Sequence, residues 1–175
     1  ELAGCVDDLY EDRMGNLIAV KRGDDFSIML ASHMDEIGFM VKYVEETGFL
    51  RFAPIGGWYA PMLPGQRVWL HGTKGPILGV LGSKPPHVMD DEERKKLLKI
   101  EEMFIDVGAE SGGAARELGV GPGTPVTLDR QFCTLCGDRV SGKAFDNRAG
   151  VALLVEVLRT AESPSTIYGV FTVQE

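Results

Sequence analysis

Two short, mostly apolar segments, 26–32 and 166–173, lie far apart in the sequence. Each has the length of a β-strand, and continuous apolarity over that length favours burial on both faces, as in a parallel sheet. The segment 16–20 predicts a partner strand in the same sheet. Between 147 and 159, apolar residues recur at helical spacing, and the Ser-Pro-Ser sequence at 163–165 ends that helix. These patterns predict an α/β domain.

The intervening residues have a different pattern, in which short strand-like pieces alternate with glycine- and proline-containing turns. Such pieces include Gly48–Phe52, Arg67–Leu70 and Ile77–Leu81. Regularly spaced short strands of this kind are typical of a small β-barrel or sandwich. We therefore predict that residues 1–36 and 137–175 form the two parts of the α/β domain, and that residues 37–136 form a β insertion between them.

The composition excludes several classes of function. Lys and Arg number 18 against 26 Asp and Glu, so the net charge is −8, which disfavours a nucleic-acid partner. No apolar run reaches the roughly 18 residues of a membrane span. Three cysteines and the lack of a basic, apolar leader favour the cytoplasm. The start without methionine and the end directly after an apolar strand favour a piece of a longer protein.

The first candidate site residues are His33 and Asp35, which follow the strand at 26–32. In open α/β sheets the ligand crevice lies outside the carboxyl ends of the strands. Side chains two residues apart in an extended segment point the same way. Asp35 can therefore fix the tautomer of His33 and raise its basicity as a metal ligand. The alternative is an ordinary surface turn.

Two further candidates are Asp146, which stands just before the predicted helix, and Glu175, which follows the strand at 166–173. Asp146 is either a helix N-cap or a carboxylate ligand bridging two metal ions. Glu175 is either the first charged residue after a strand or a general base acting on a metal-bound water. Nitrogen and carboxylate donors at one sheet edge suit zinc or a similar divalent ion.

Three motifs in the chain resemble those of the tetrahedral aminopeptidase (TET) family of cytosolic dinuclear metallo-aminopeptidases. The motifs are Ser-His-Met-Asp-Glu-Ile-Gly at 32–38, Gly-Asp-Arg at 137–139 with Lys-Ala-Phe-Asp-Asn-Arg at 143–148, and Val-Gln-Glu at 173–175. Some members of the family are called glutamyl aminopeptidases or endoglucanases. The resemblance implies an α/β catalytic domain, a PDZ-like β-barrel insertion used for dimerisation, and assembly of dimers into a hollow tetrahedral dodecamer.

The resemblance also implies roles for individual residues. His33 resembles the first metal ligand, Asp35 the carboxylate that orients it, Asp146 the bridging ligand and Glu175 the general base. A cis peptide between Asp146 and Asn147 is implied as well. Each complete subunit would hold two divalent ions, zinc or cobalt. A second glutamate and a later aspartate and histidine of the family pattern are absent from this sequence, so we expect the chain alone to be inactive.

The function implied is release of N-terminal residues from short peptides by attack of a metal-bound hydroxide. One alternative is a metal-independent, endoglucanase-type glycosidase that uses Asp and Glu as an acid–base pair. That alternative leaves His33 and Asp35 unexplained, and sensitivity to a chelator separates it from the first. Another alternative is a catalytically inactive oligomerisation fragment, which the incomplete ligand set favours for this chain.

Overall fold

The chain forms two compact units, and the second is inserted into the sequence of the first. The first unit consists of residues 1–36 and 133–175, and the second of residues 37–132. A computed structural model describes the backbone of residues 1–175 and all side chains except those of Pro86, Glu93 and Arg94. Among these described residues, no helix is both long enough and apolar enough to cross a bilayer. The two units are described separately below.

The strands and helices follow one another closely along the chain. The strands are β1 Asp8–Glu11, β2 Leu17–Lys21, β3 Ser27–His33, β4 Gly38–Val44, β5 Leu50–Ile55, β6 Arg67–Gly72, β7 Gly75–Gly82, β8 Phe104–Asp106, β9 Pro125–Leu128, β10 Cys133–Thr134, β11 Val140–Ser141 and β12 Thr166–Thr172. The α-helices are α1 Asp91–Lys95, α2 Gly112–Glu117 and α3 Phe145–Thr160.

The first unit is built on a mixed sheet of strand order β1-β2-β12-β3. β12 runs parallel to β3 and antiparallel to β2, so the predicted parallel pair is confirmed. Helix α3 packs on one face, where Leu154 and Leu158 are buried with Ile167 and Phe171 of β12. The helical spacing of the apolar residues in 147–159 correctly predicted this helix.

The expectation that the apolar strand at 26–32 is buried on both faces is wrong for this chain. Met29 and Tyr168 are paired across β3 and β12, and their side chains are 71% and 37% exposed. Successive side chains of a strand point to opposite faces. Helix α3 packs on the face that carries Leu30, and the opposite face, which carries Met29, stays open.

The second unit contains a closed barrel of strand order β4-β5-β8-β7-β6-β9. Pairing of β4 with β9, for example Phe39 with Val126, closes it. Phe39 is fully buried, stacked on Trp58 at a ring-centroid distance of 4.6 Å and edge-on to Phe52 at 5.0 Å. Of the two predicted architectures, barrel and sandwich, the chain adopts the barrel. The molecule is thus a mixed α/β fold that contains a six-stranded barrel.

The boundary after the barrel lies between residues 132 and 133, four residues before the predicted one. The difference arises because Cys133 and Thr134 pair with Ser141 and Val140 as a small hairpin of the first unit. Apolar and turn residues alternate on both sides of this boundary, so the sequence pattern alone does not separate the hairpin from the barrel strands.

Candidate functional site

His33 is the last residue of β3, and its imidazole lies between two carboxylates. Its Nδ1 is 3.0 Å from Oδ1 of Asp35, and its Nε2 is 3.1 Å from Oδ1 of Asp146. The ring is only 14% exposed, whereas the side chain of Asp146 is 92% exposed. Two carboxylates therefore fix the orientation of a nearly buried imidazole at the carboxyl end of the sheet.

The surroundings of His33 carry a strong negative charge. Partial burial lowers the pKa of the imidazole and is the largest single effect. The hydrogen bonds to Asp35 and Asp146, with the nearby charge of Glu175, together outweigh burial and raise the pKa above its ordinary value of 6.5. The same negative charge attracts any cation, which makes this sheet edge suitable for a divalent ion.

Asp146 lies in the first turn of α3, where the backbone departs from helical geometry. Its φ and ψ are −87° and 106°, and the next residue, Asn147, is also non-helical. The peptide bond between the two is cis, as the resemblance implied. The carboxylate of Asp146 contacts His33, and it is the Asn147 side chain that accepts a hydrogen bond from a backbone N–H of the helix, that of Gly150.

The buried residue Ser32 joins the end of β3 to the start of α3, next to the contact between His33 and Asp146. Its Oγ donates to the carbonyl oxygen of Asn147 at 3.0 Å. The Asn147 side chain in turn accepts from the backbone N–H of Gly150 at 3.2 Å. A Cβ at position 150 would lie 2.3 Å from Asn147 Oδ1 and 2.7 Å from Ser32 Oγ, so this packing requires glycine.

Two further contacts hold the segment after β3 against the start of α3. Arg148 Nε donates to the carbonyl oxygen of Met34 at 3.0 Å. Lys143 Nζ donates to Oε1 of Glu36 at 2.6 Å, and the Glu36 side chain is mostly buried. The relative position of His33 and Asp146 is therefore set by several bonds besides their own contact.

Glu175 follows β12, whose last residue, Thr172, is in parallel register with His33. The backbone N–H of Met34 donates to the carbonyl oxygen of Thr172 at 2.7 Å, which ties the two strand ends together. The structure thus places His33, Asp35 and Asp146 in direct contact. It places Glu175 near enough for its charge to act on the imidazole.

The donor atoms present fit part of a metal centre. Within the described side chains, no group of three or more His, Cys, Asp and Glu residues surrounds one point. His33 Nε2 and Asp146 Oδ1 supply one nitrogen and one oxygen, which are donors that zinc accepts, but a working zinc site has three protein ligands. These two residues are therefore suited to hold a divalent ion together with further ligands.

Comparison with known proteins places the chain in a family. The model of the M42 glutamyl aminopeptidase family matches residues 15–175, which include the entire candidate site. The chain belongs to the M42 family. The sequence alone predicted His33, Asp35, Asp146 and Glu175 as site residues, and their roles stay predictions. Sequence reasoning had missed the supporting roles of Ser32 and Lys143, which stand inside the quoted motifs but carry no distinctive spacing.

Individual relatives of this M42 chain are similar over nearly all of it. The Escherichia coli protein FrvX is 39% identical over 99% of this chain and 49% of its own length. A TET aminopeptidase from a marine sediment Thaumarchaeota archaeon has 39% identity, covers 99% of this chain and 51% of its own, and has a TM-score of 0.93. The TET1 peptidase of Pyrococcus horikoshii has 35% identity over 96% of this chain and 51% of its own, with a TM-score of 0.83. The M42 chain thus spans about half the length of these relatives.

Proposed function

We propose that the protein containing this chain is a metal-dependent aminopeptidase that removes N-terminal residues from short peptides. The observation that carries the proposal is the contact between His33 and Asp146, two potential metal ligands that lie 3.1 Å apart in a chain of the M42 family. The glycosidase alternative accounts neither for this pair nor for the second carboxylate, Asp35, on the same imidazole.

In this proposal His33 and Asp146 hold the metal, together with ligands from the part of the protein that this chain does not cover. When bound, two divalent ions, zinc or cobalt, would polarise the scissile carbonyl and make water a stronger nucleophile. Asp35 accepts from Nδ1 of His33, so the lone pair of Nε2 would be available to a bound ion.

Glu175 acts as the general base in this proposal. Its carboxylate accepts a proton from the attacking water and delivers it to the amine of the departing peptide. Two observations support the assignment: its charge acts on His33, and it follows the end of β12, where β12 is bonded to the segment after His33.

The barrel unit suggests a role in assembly. The P. horikoshii TET1 peptidase can assemble into a tetrahedron or a large octahedral shell. We propose that the barrel of residues 37–132 is a PDZ-like dimerisation insertion in the catalytic α/β domain. Dimers of the complete protein would then form a tetrahedral dodecamer in the cytoplasm. The net charge of −8 agrees with peptide substrates and not with nucleic acid.

The test is hydrolysis of matched free and N-acetylated peptides by the full-length protein and by the 1–175 chain. We expect the full-length protein to cleave only free amino termini, to lose activity in a chelator and to regain it with zinc or cobalt. We expect the 1–175 chain to be inactive. Chelator-resistant cleavage of a β-glucan by the full-length protein, with no peptide cleavage, would instead support the glycosidase.

A further inference from the structure

The loop between β1 and β2 has the sequence Asp-Arg-Met-Gly-Asn at 12–16, and its own side chains order it. Asp12 Oδ1 accepts from the backbone N–H groups of Met14 at 2.8 Å and Asn16 at 3.0 Å. Asp12 Oδ2 accepts from Nδ2 of Asn16 at 2.9 Å. Hydrogen bonding, led by the bond from the Asn16 side chain, lowers the pKa of Asp12, so the carboxylate stays ionised.

This loop also contacts the end of β12. Oδ1 of Asn16 accepts from the backbone N–H of Val173 at 3.0 Å. The methyl groups of Val173 lie 3.7 and 3.8 Å from the point where a Cβ of Gly15 would be, so the loop runs beside this valine without pressing on it. A hydrogen bond from its backbone N–H therefore ties Val173 to the loop, although Val173 lies outside the strand.

The orientation of the Asn16 amide follows from its two partners. Asp12 is an anion and can only accept, so it takes the NH₂ group. The backbone N–H of Val173 can only donate, so it takes the carbonyl oxygen. One side chain thus transmits the position of a rigid loop to the residue that stands two places before Glu175.

We propose that Asn16, held by Asp12, is a positioning residue that sets the place of Glu175 through Val173; the inference rests on the proposed function of Glu175. β12 ends at Thr172, so Glu175 has no strand pairing of its own to locate it. Misplacement of a reacting group by about 1 Å can lower a rate roughly a hundredfold. A fixed amide at Val173 restricts such movement.

The test compares three variants of the full-length protein: Asn16→Ala, Asn16→Asp, and the exchange Asp12→Asn/Asn16→Asp. The first removes both bonds of the side chain. The second opposes two carboxylates across the present 2.9 Å contact, and like charges there repel. In the double variant, the new amide at position 12 donates to the new carboxylate at position 16. The second oxygen of that carboxylate accepts from the backbone N–H of Val173.

For Asn16→Ala and Asn16→Asp we expect kcat to fall by at least about tenfold, with KM for the peptide and the bound metal content unchanged. The double variant Asp12→Asn/Asn16→Asp should restore kcat to near the value of the unsubstituted protein. Ser111→Ala is a matched control, because it also removes one side-chain bond to a backbone N–H, that of Ala114 at 3.1 Å in the barrel unit. It should leave kcat unchanged.

Hydrogen exchange of the Val173 amide supplies a second readout that needs no activity. We expect faster exchange in both single variants and near-normal exchange in the double variant. Unchanged exchange and unchanged kcat in Asn16→Ala would overturn the inference, as would a loss of kcat that the double variant does not restore. If the unsubstituted protein cleaves no peptide, the proposed function fails. The hydrogen-exchange rates of the Val173 amide alone then decide whether Asn16 positions this segment.

Discussion

Nε2 of His33 and Oδ1 of Asp146 lie 3.1 Å apart, although 113 positions separate the two residues in the sequence. One closes a strand and the other opens a helix, and the barrel unit is inserted between them. Asp35 binds the opposite nitrogen of the same ring at 3.0 Å. The side chains of Asp35, His33 and Asp146 thus contact one another in a row, and each can be substituted separately.

Removing the carboxylate behind His33 should weaken metal binding without removing a ligand. For Asp35→Asn in the full-length protein we expect a loss of about 10–100-fold in metal affinity, because outer partners of this kind fix the orientation and basicity of the histidine. Isothermal titration with zinc measures it. The matched control is Asp24→Asn, which makes the same change at an exposed carboxylate of the same unit and should leave the affinity for zinc unchanged. Equal affinities for Asp35→Asn and the unsubstituted protein would contradict the assignment.

Removing the proposed base should affect the rate and not the metal. For Glu175→Gln in the full-length protein we expect kcat to fall by about 10²–10⁴, with metal content retained. His33→Ala should lose both metal and activity. Glu162→Gln, an exposed carboxylate of the same unit, serves as the control and should change neither. If Glu175→Gln kept its full kcat, the role of base would belong to another residue.

The barrel should lose stability in acid through Glu45. Its Oε1 accepts from Arg51 Nε at 2.6 Å, and this bond is the main reason why the pKa of Glu45 lies below 4.5. A lowered pKa stabilises the fold above the unfolded value, and the gain disappears as the pH falls through the folded pKa. We expect Glu45→Gln to lower the free energy of unfolding by about 1 kcal/mol at neutral pH and to have little effect in strong acid.

Both tryptophans of the chain, Trp58 and Trp69, lie in the barrel unit, so denaturant unfolding followed by their fluorescence measures this difference. The matched control is Glu46→Gln, because Glu46 is 92% exposed and lies 3.7 Å from Arg116. Its effect should stay within about 0.5 kcal/mol. A difference between Glu45→Gln and the unsubstituted chain that did not depend on pH would disprove the linkage.

Two glycine-to-alanine substitutions in helices should have opposite effects. At Gly113 the new Cβ would meet only Ser111 Oγ at 3.7 Å, so lower chain entropy should stabilise the protein by about 0.5–1 kcal/mol. At Gly150 the Cβ would press on Asn147 and Ser32, at a cost of about 1–3 kcal/mol. Thermal unfolding of the two variants compares them, and destabilisation of equal size in both would refute the packing argument.

Local patterns predicted much of the fold, because helical spacing and turn residues act over short distances. The helix around Leu154 and the strand containing Phe171 follow from them. The closure of the barrel through Phe39 and Val126 does not, since no local pattern specifies a pairing between distant strands. The exposure of Met29 was missed for a related reason: apolarity indicates that a face can be buried, and the neighbouring elements determine whether it is.

The candidate site was predictable where residue type and strand position coincide, as for His33, Asp146 and Glu175. Their roles as ligands and base remain predictions. The hydrogen bond from the backbone N–H of Val173 to Asn16 was not predicted, because an Asp and an Asn in a loop are ordinary turn formers. Their proposed role in positioning Val173 depends on which strand end lies beside the loop. That arrangement exists only in the folded sheet, and no local sequence pattern specifies it.

The pairing of β4 with β9 has a consequence for how the chain reaches its native state. The polypeptide enters and leaves the barrel on neighbouring strands, so a folded barrel holds the two ends of the insertion close together. The loop that must close for His33 to meet Asp146 then shortens to the segments outside the barrel. Closure entropy depends on the logarithm of loop length, so this saves about 1–2 kcal/mol. A large insertion between two halves of a site therefore imposes little thermodynamic penalty, provided that it folds first.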